Sequence, residues 1–225
     1  NVPHRMAVGK NPDPGNFSLL RVFIVNQFKV MRHLRVLLLS FIITSPFILS
    51  AQVLQLPEIS LNKAERELVL LINRYREQKG LPAIPVSKNL TYVARLHVQD
   101  LSQNHPFSKR CNLHSWSDKG PWTPCCYTED HAEAECMWIK PQELSNYPGL
   151  GYEIAYWTNE PLSPAGYARK ALAGWQRSVP HNVVMVNLGR WKSKAWKAMG
   201  VGVFDGYAVV WFGEEEDQEQ LIINN

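Results

Sequence analysis

Residues 198–213 read AMGVGVFDGYAVVWFG, two β-rich runs of seven residues on either side of Asp205-Gly206. An Asp-Gly pair between such runs is a strong signal for a tight antiparallel hairpin, because both turn residues must take positive φ. The hairpin predicts a sheet late in the chain. A second strand is expected at Gly151–Trp157 (GYEIAYW), which is short, aromatic and bounded by turn residues.

Helices surround these strands. Leu61–Lys79 (LNKAERELVLLINRYREQK) sets Leu68, Leu71, Ile72 and Tyr75 at helical spacing and is stopped by Gly80 and Pro82. A second helix is expected from Ser87, a good N-cap, to Asn104, with Leu90, Val93, Ala94, His97, Val98 and Leu101 along one stripe. On that stripe His97 reads as a core or edge histidine rather than a ligand. The third, Ser163–Ser178, opens with an N-cap Ser followed by Pro at the first helical position. Helices covering an antiparallel sheet define an α+β layer structure, with no internal repeat and no second domain.

All four cysteines, Cys111, Cys125, Cys126 and Cys136, fall between the second helix and the Gly151 strand. Around them, from about residue 105 to 150, periodicity is weak, so a long loop held by covalent links is expected. In an exported chain, clustered even cysteines read as disulfides. A bond between the adjacent Cys125 and Cys126 would strain the peptide joining them. That leaves 111–125 with 126–136, or 111–126 with 125–136. The C-x-x-C spacing of common zinc folds is missing.

Export is read from the leader. Met31–Ala51 (MRHLRVLLLSFIITSPFILSA) has Arg32 and Arg35 before an apolar stretch from Val36 to Leu49 and then small residues, the parts of a signal peptide, with cleavage expected after Ala51. The stretch is too short and interrupted for a comfortable membrane span. Residues 1–30 read as upstream sequence before a better start at Met31; the competing reading is a polar extension of a signal anchor. The domain is then 52–225, secreted or periplasmic, with no stable membrane span after cleavage, and a monomer is the expectation.

With 45% apolar and 20% charged residues in a chain of 225, a packed core is expected. The formal charge of +4 belongs to the leader: residues 1–51 carry six Lys/Arg and one acid, residues 52–225 eighteen and nineteen. The body therefore lacks an electrostatic footprint for nucleic acid. The acidic run Glu214–Asp217 reads as solvated and frayed. No H-E-x-x-H helix, P-loop or G-x-G-x-x-G fingerprint is present, and Ser115 lacks the G-x-S-x-G turn of a nucleophile. Glu153 lies in an otherwise apolar strand, where an ionised carboxylate demands a nearby His, Arg or metal. His131, among Glu129, Asp130, Glu133 and Glu135, could bind a cation but reads better as part of a solvated acidic loop. The eight Trp, all at or after residue 116, read as sheet packing before a sugar or lipid groove.

Several segments, in this order, resemble the CAP superfamily (cysteine-rich secretory, antigen 5 and pathogenesis-related-1 proteins), and most closely its bacterial SCP-like branch. They are ELVLLINRYREQKGLP with Asn73 and Arg76, NLTYVARLHVQDLSQ as the family's Ala-x-x-His-x-x-Asp helix, His114-Ser115, and Gly151–Ile154 where the family has Gly-Glu-Asn-Ile. Trp175–Asn182 resembles Trp-x-x-Ser-Pro-Gly-His-Arg, and GVGVFDGYAVVWFGE the final hairpin. The resemblance covers about residues 61–214 and implies a three-layer α/β/α sandwich. It also implies that His114, Glu153 and His181 border an open cleft, where some family members hold divalent metal. Two imidazoles and a carboxylate suit zinc or another divalent cation with a position left open, and without metal they could give and take a proton. Against the eukaryotic pattern, Ser178 stands where a second glutamate is found, and Phe204–Ala208 carries no histidine. The leading expectation is an extracellular binding or interaction module for an unidentified ligand or protein. The alternatives are a metal-assisted hydrolase of peptide, ester or cell-envelope substrates, for which the same three residues are the catalytic candidates, and a lipid or sterol binder.

Overall fold

The computed structural model describes residues 53–223, so the leader reading at Met31–Ala51 lies outside the described residues. In chain order the elements are helix α1 (Lys63–Gln78), strand β1 (Val86–Ser87), α2 (Lys88–Asn104), α3 (Glu135–Trp138), α4 (Lys140–Leu144), β2 (Gly151–Trp157), α5 (Pro164–Arg177) and α6 (Val179–Met185). A 3-10 turn (Gly189–Trp191), β3 (Ala198–Phe204), β4 (Tyr207–Gly213) and β5 (Gln220–Leu221) complete it.

The hairpin forms as expected. Asp205 and Gly206 take φ of 46° and 78°, the left-handed pair that a two-residue turn between right-twisted strands requires. β2 pairs antiparallel with β4, setting Glu153 opposite Trp211, and the five-stranded order is β2-β4-β3-β1-β5. One pair departs from an all-antiparallel sheet: the two-residue β1 runs parallel to β3. It is the entry to α2, whose cap Ser87 accepts from the Leu90 N–H at 2.8 Å.

Strand alternation divides the core in two. Ala208, Val210 and Phe212 of β4 face Leu68 and Ile72 of α1, Trp175 of α5 and Met185 of α6. Tyr207, Val209 and Trp211 face Leu90, Val93 and Val98 of α2, with Trp116, Met137 and Leu144 of the cysteine-rich segment. This is the three-layer α/β/α sandwich. α2 lies unusually close to the sheet because β3 presents Gly200 and Gly202 to it. A Cβ on Gly200 would sit 2.1 Å from the Leu90 carbonyl carbon, and one on Gly202 2.5 Å from the Ala94 oxygen.

The layers are stitched by polar side chains. Asn62 and Glu65 form a capping box on α1, and Glu65 also receives the Arg95 guanidinium of α2 at 2.6 and 2.9 Å. Asn73 bonds both backbone groups of Ile84, closing the turn that follows α1.

Two expectations need correction. The acidic run is not frayed. Asp217 is buried and accepts from the Ser87 hydroxyl, the Asn89 N–H and side-chain amide, and the Glu219 N–H, while Glu214 pairs with Lys194. These contacts hold the tail so that β5 can pair with β1. The cysteine-rich segment, in turn, is not loop alone: it contains α3 and α4 and a bridge between Trp116 and Cys125. Its disulfides are Cys111–Cys126 and Cys125–Cys136, the second of the two pairings left open.

Candidate functional site

Glu153 sits in the middle of β2 on the face turned toward α2, because its neighbours Tyr152 and Ile154 point into the opposite core. It is buried, and the partners its charge demands are histidines. His97 of α2 brings Nδ1 to 2.5 Å from Glu153 Oε2, and His114 brings Nδ1 to 2.7 Å from Oε1.

His97 comes from a fully buried position on the helix stripe, with its ring stacked on Trp116 at 4.3 Å and 7°. Its Nε2 lies 3.0 Å from the Ser115 carbonyl oxygen. A carbonyl only accepts, so Nε2 carries a proton, and a further proton is shared between Nδ1 and the carboxylate. The expectation that His97 is a core histidine describes its burial and misses its partner. The signal lay in the other half of the pair: a lone carboxylate in an apolar strand needs a donor, and the second helix offers a histidine on its inward stripe.

The disulfide-linked segment supplies His114. Asn112 Oδ1 accepts from the His114 N–H at 3.0 Å, and the Asn112 N–H donates to the Tyr127 oxygen at 2.8 Å. Trp116 and Cys125 exchange two backbone bonds. The Cys125–Cys136 and Cys111–Cys126 bonds then tie this strip to α3 and to its own start. Ser115 is buried, its hydroxyl accepting from the Tyr127 N–H at 2.9 Å.

With Nδ1 donating to Glu153, the opposite nitrogen of His114 is left for the cleft that His114 lines. His181, near the start of α6, borders the same cleft with its ring centroid 6.1 Å from that of His114. The three residues singled out by resemblance therefore do come together. The cleft holds about 750 Å³, with Met137, Trp138, Tyr152 and Trp191 as apolar walls and Arg190 among its lining residues. Sequence reading missed Tyr127; His131 lies exposed in its acidic loop as expected, yet its Nδ1 shares a 2.9 Å hydrogen bond with the Tyr127 hydroxyl, both line the cleft, and the Tyr127 ring meets His114 edge-on at 5.2 Å.

Burial shapes the electrostatics. It pushes the Glu153 carboxyl up, but the charges and hydrogen bonds of His97 and His114 outweigh it and hold the group below the usual carboxylate range. His181 is lowered to about 4, first by burial and then by His114, against the opposing pull of Glu153. The Tyr127 hydroxyl is raised, mainly by burial and then by Glu153, with Arg190 pulling the other way.

Both Glu153 oxygens are taken by histidine nitrogens, so the carboxylate stands behind His114 rather than beside it. Among the described residues no group of three or more His, Cys, Asp and Glu is arranged to hold a metal ion. His114, Glu153 and His181 all line the cleft, but both Glu153 oxygens are already engaged, which leaves the two imidazoles as the freer donors.

A sandwich with a carboxylate-braced histidine cleft defines the class. The model of the CAP family, described as the cysteine-rich secretory protein family, matches residues 69–189, more than half of the chain, and the protein belongs to this family. No curated protein matches its sequence significantly. It is similar to an extracellular, SCP-domain-containing protein from Bacillus anthracis at 19% identity and a TM-score of 0.48, over 72% of this chain and 45% of that one. It is also similar to an outer surface protein from Borrelia burgdorferi at 15% identity and a TM-score of 0.47, over 71% and 98%. A cysteine-rich secretory protein from Staphylococcus aureus is similar at 18% and 0.42, over 72% and 42%. This chain thus spans less than half the length of the Bacillus and Staphylococcus proteins. Among its described residues no helix is long and apolar enough to cross a membrane.

Proposed function

We propose that this protein is an exported CAP module that binds an extracellular ligand in the cleft between His114 and His181. Export is supported by the two disulfides and by the Met31–Ala51 leader. Binding is supported by one observation above the rest: Glu153, held from behind by His97, fixes the tautomer of His114 and presents its Nε2 to an aromatic-walled cleft. Such an arrangement offers a ligand one oriented acceptor, a neutral second imidazole and apolar surface. The Ser115 hydroxyl is buried and engaged by the backbone, which speaks against Ser115 as a nucleophile beside the histidines. His114 and His181 would be the protein's donors to a divalent cation, with Glu153 orienting the first.

The test is an assay of the purified chain on an aryl ester and a peptide substrate, with and without zinc. Background rates are expected throughout, with weak zinc retention in equilibrium dialysis that either His114→Ala or His181→Ala removes. Turnover abolished by both His114→Ala and Glu153→Gln would replace binding with hydrolysis, the reading favoured by the carboxylate–imidazole pair if it acts as a base.

A further inference from the structure

A second cavity, of about 590 Å³, lies at the C-terminal end of α1, against the chain that leads from α6 to β3. Four of its lining residues are cationic, Arg76, Lys79, Lys192 and Lys194, and none is Asp or Glu. Residues 52–225 carry nearly equal numbers of basic and acidic side chains, so this segregation departs from the rest of the domain.

Arg76 is the informative member. It is buried to 1% exposure, yet its acceptors among the described residues are all neutral. Nη1 donates to the Met185 oxygen at 2.5 Å and to Asn187 Oδ1 at 2.8 Å, and Nε donates to the Pro82 oxygen at 3.1 Å. Among the described residues no carboxylate pairs with it, and its second terminal nitrogen has no protein acceptor. Desolvation lowers it to about 10, which leaves the guanidinium charged at neutral pH. Capping the end of α6 accounts for Nη1 but not for an uncompensated buried charge, which is costly without a counterion. Around it, Lys79 and Lys192 are exposed and pair with no acid among the described residues, Lys79 lying over the Tyr75 ring, while Lys194 is shared with Glu214. Between the cations run apolar walls that include Leu81, Val186 and Trp196.

We infer that this cavity is an anion site for a soluble organic phosphomonoester, its phosphate held by Arg76 with Lys79 and Lys192 at the rim, and its apolar body against Leu81, Val186 and Trp196. A dianionic phosphate matches several clustered cations, one of them a guanidinium with a single nitrogen left to donate, better than a monoanionic carboxylate does. The volume is in the range of small-molecule sites. This site is separate from the histidine cleft and does not depend on its function.

The experiment titrates the full chain at low ionic strength with phenyl phosphate, inorganic phosphate and benzoate, followed by calorimetry and amide NMR. Phenyl phosphate is expected to bind at least about tenfold more tightly than either other probe, which corresponds to about 1.4 kcal/mol. Its affinity should fall with added salt, and shifts should centre on Asn187, Lys192 and Trp196. Lys79→Glu and Lys192→Glu, both at exposed positions that leave the core untouched, are each expected to weaken binding about tenfold or more. The inference is overturned by three outcomes: no saturable binding, affinity unchanged in both variants, or shifts centred on His114 and His181. Benzoate equal to phenyl phosphate would overturn the choice of phosphate.

Discussion

His97 and His114 grip the two oxygens of one buried carboxylate, and removing either leaves an ionised group in a dry interior with half its partners. Breaking such a buried pair costs about 3–5 kcal/mol. His97→Ala is therefore expected to lose about that much in urea unfolding, and His97→Gln, which keeps a donor, to recover part of it. A positioning role adds a second readout: 15N NMR should show the His114 tautomer loosened in His97→Ala and kept in His97→Gln. The pH dependence separates two groups. Because His181 is lowered from its ordinary value of 6.5 to about 4, the unfolded chain binds the extra proton first. The stability His181 contributes is present above pH 6.5 and lost as pH falls toward about 4. Glu153 is also lowered, so its contribution is present above the ordinary carboxylate range and is lost only at still lower pH. Unfolding free energies measured across this range should decline in two stages, and His181→Asn should flatten the upper one alone.

The distance between α2 and β3 decides whether His97 can reach Glu153 at all. Gly200 and Gly202 permit that distance, since their missing side chains would overlap the backbone of Leu90 and Ala94. Overpacking of this kind costs about 1–3 kcal/mol, and more where backbone must move. Gly200→Ala should lower the melting temperature and also disturb the His97 and His114 resonances, because α2 must rise off the sheet. A destabilised protein with unchanged histidine signals would show that the glycines serve packing only. The periodicities that predict α1, α2, α5 and the hairpin are local, and these elements form, α2 and α5 with their expected Ser87 and Ser163 caps and the hairpin with its expected turn. Two-residue strands such as β1 and β5 carry no period of their own; they exist because the rest of the sheet offers them an edge.

Two cores on opposite faces of one sheet give the molecule two unlike halves. One is built from regular helices. The other depends on the cysteine-rich segment, which delivers His114, Tyr127 and His131 and closes over His97 through Trp116. Its two bonds span 15 and 11 residues, and a 15-residue closure contributes about 3 kcal/mol in the chain-entropy account. Replacing both Cys125 and Cys136 by Ser is expected to destabilise the protein by about that amount. Hydrogen exchange should show the change concentrated in residues 105–150, with the β3–β4 amides still protected. Uniform loss of protection would mean that the two halves unfold as one unit.

The sequence by itself determined what depends on neighbours: the Asp205-Gly206 turn, the Ser87 and Ser163 caps, the alternating faces of β2 and β4, and the need of Glu153 for a partner. Only the tertiary structure decided which partners those were. Glu153 and His97 are 56 residues apart, and their meeting depends on which face of the sheet α2 covers and how closely glycine lets it approach. The same holds for the choice between two cystine pairings, for the burial of Asp217, and for the turn of His131 toward Tyr127. Turns and periods are set by backbone geometry over a few residues. Pairings between distant polar groups are set by the packing of whole layers, which no local pattern encodes.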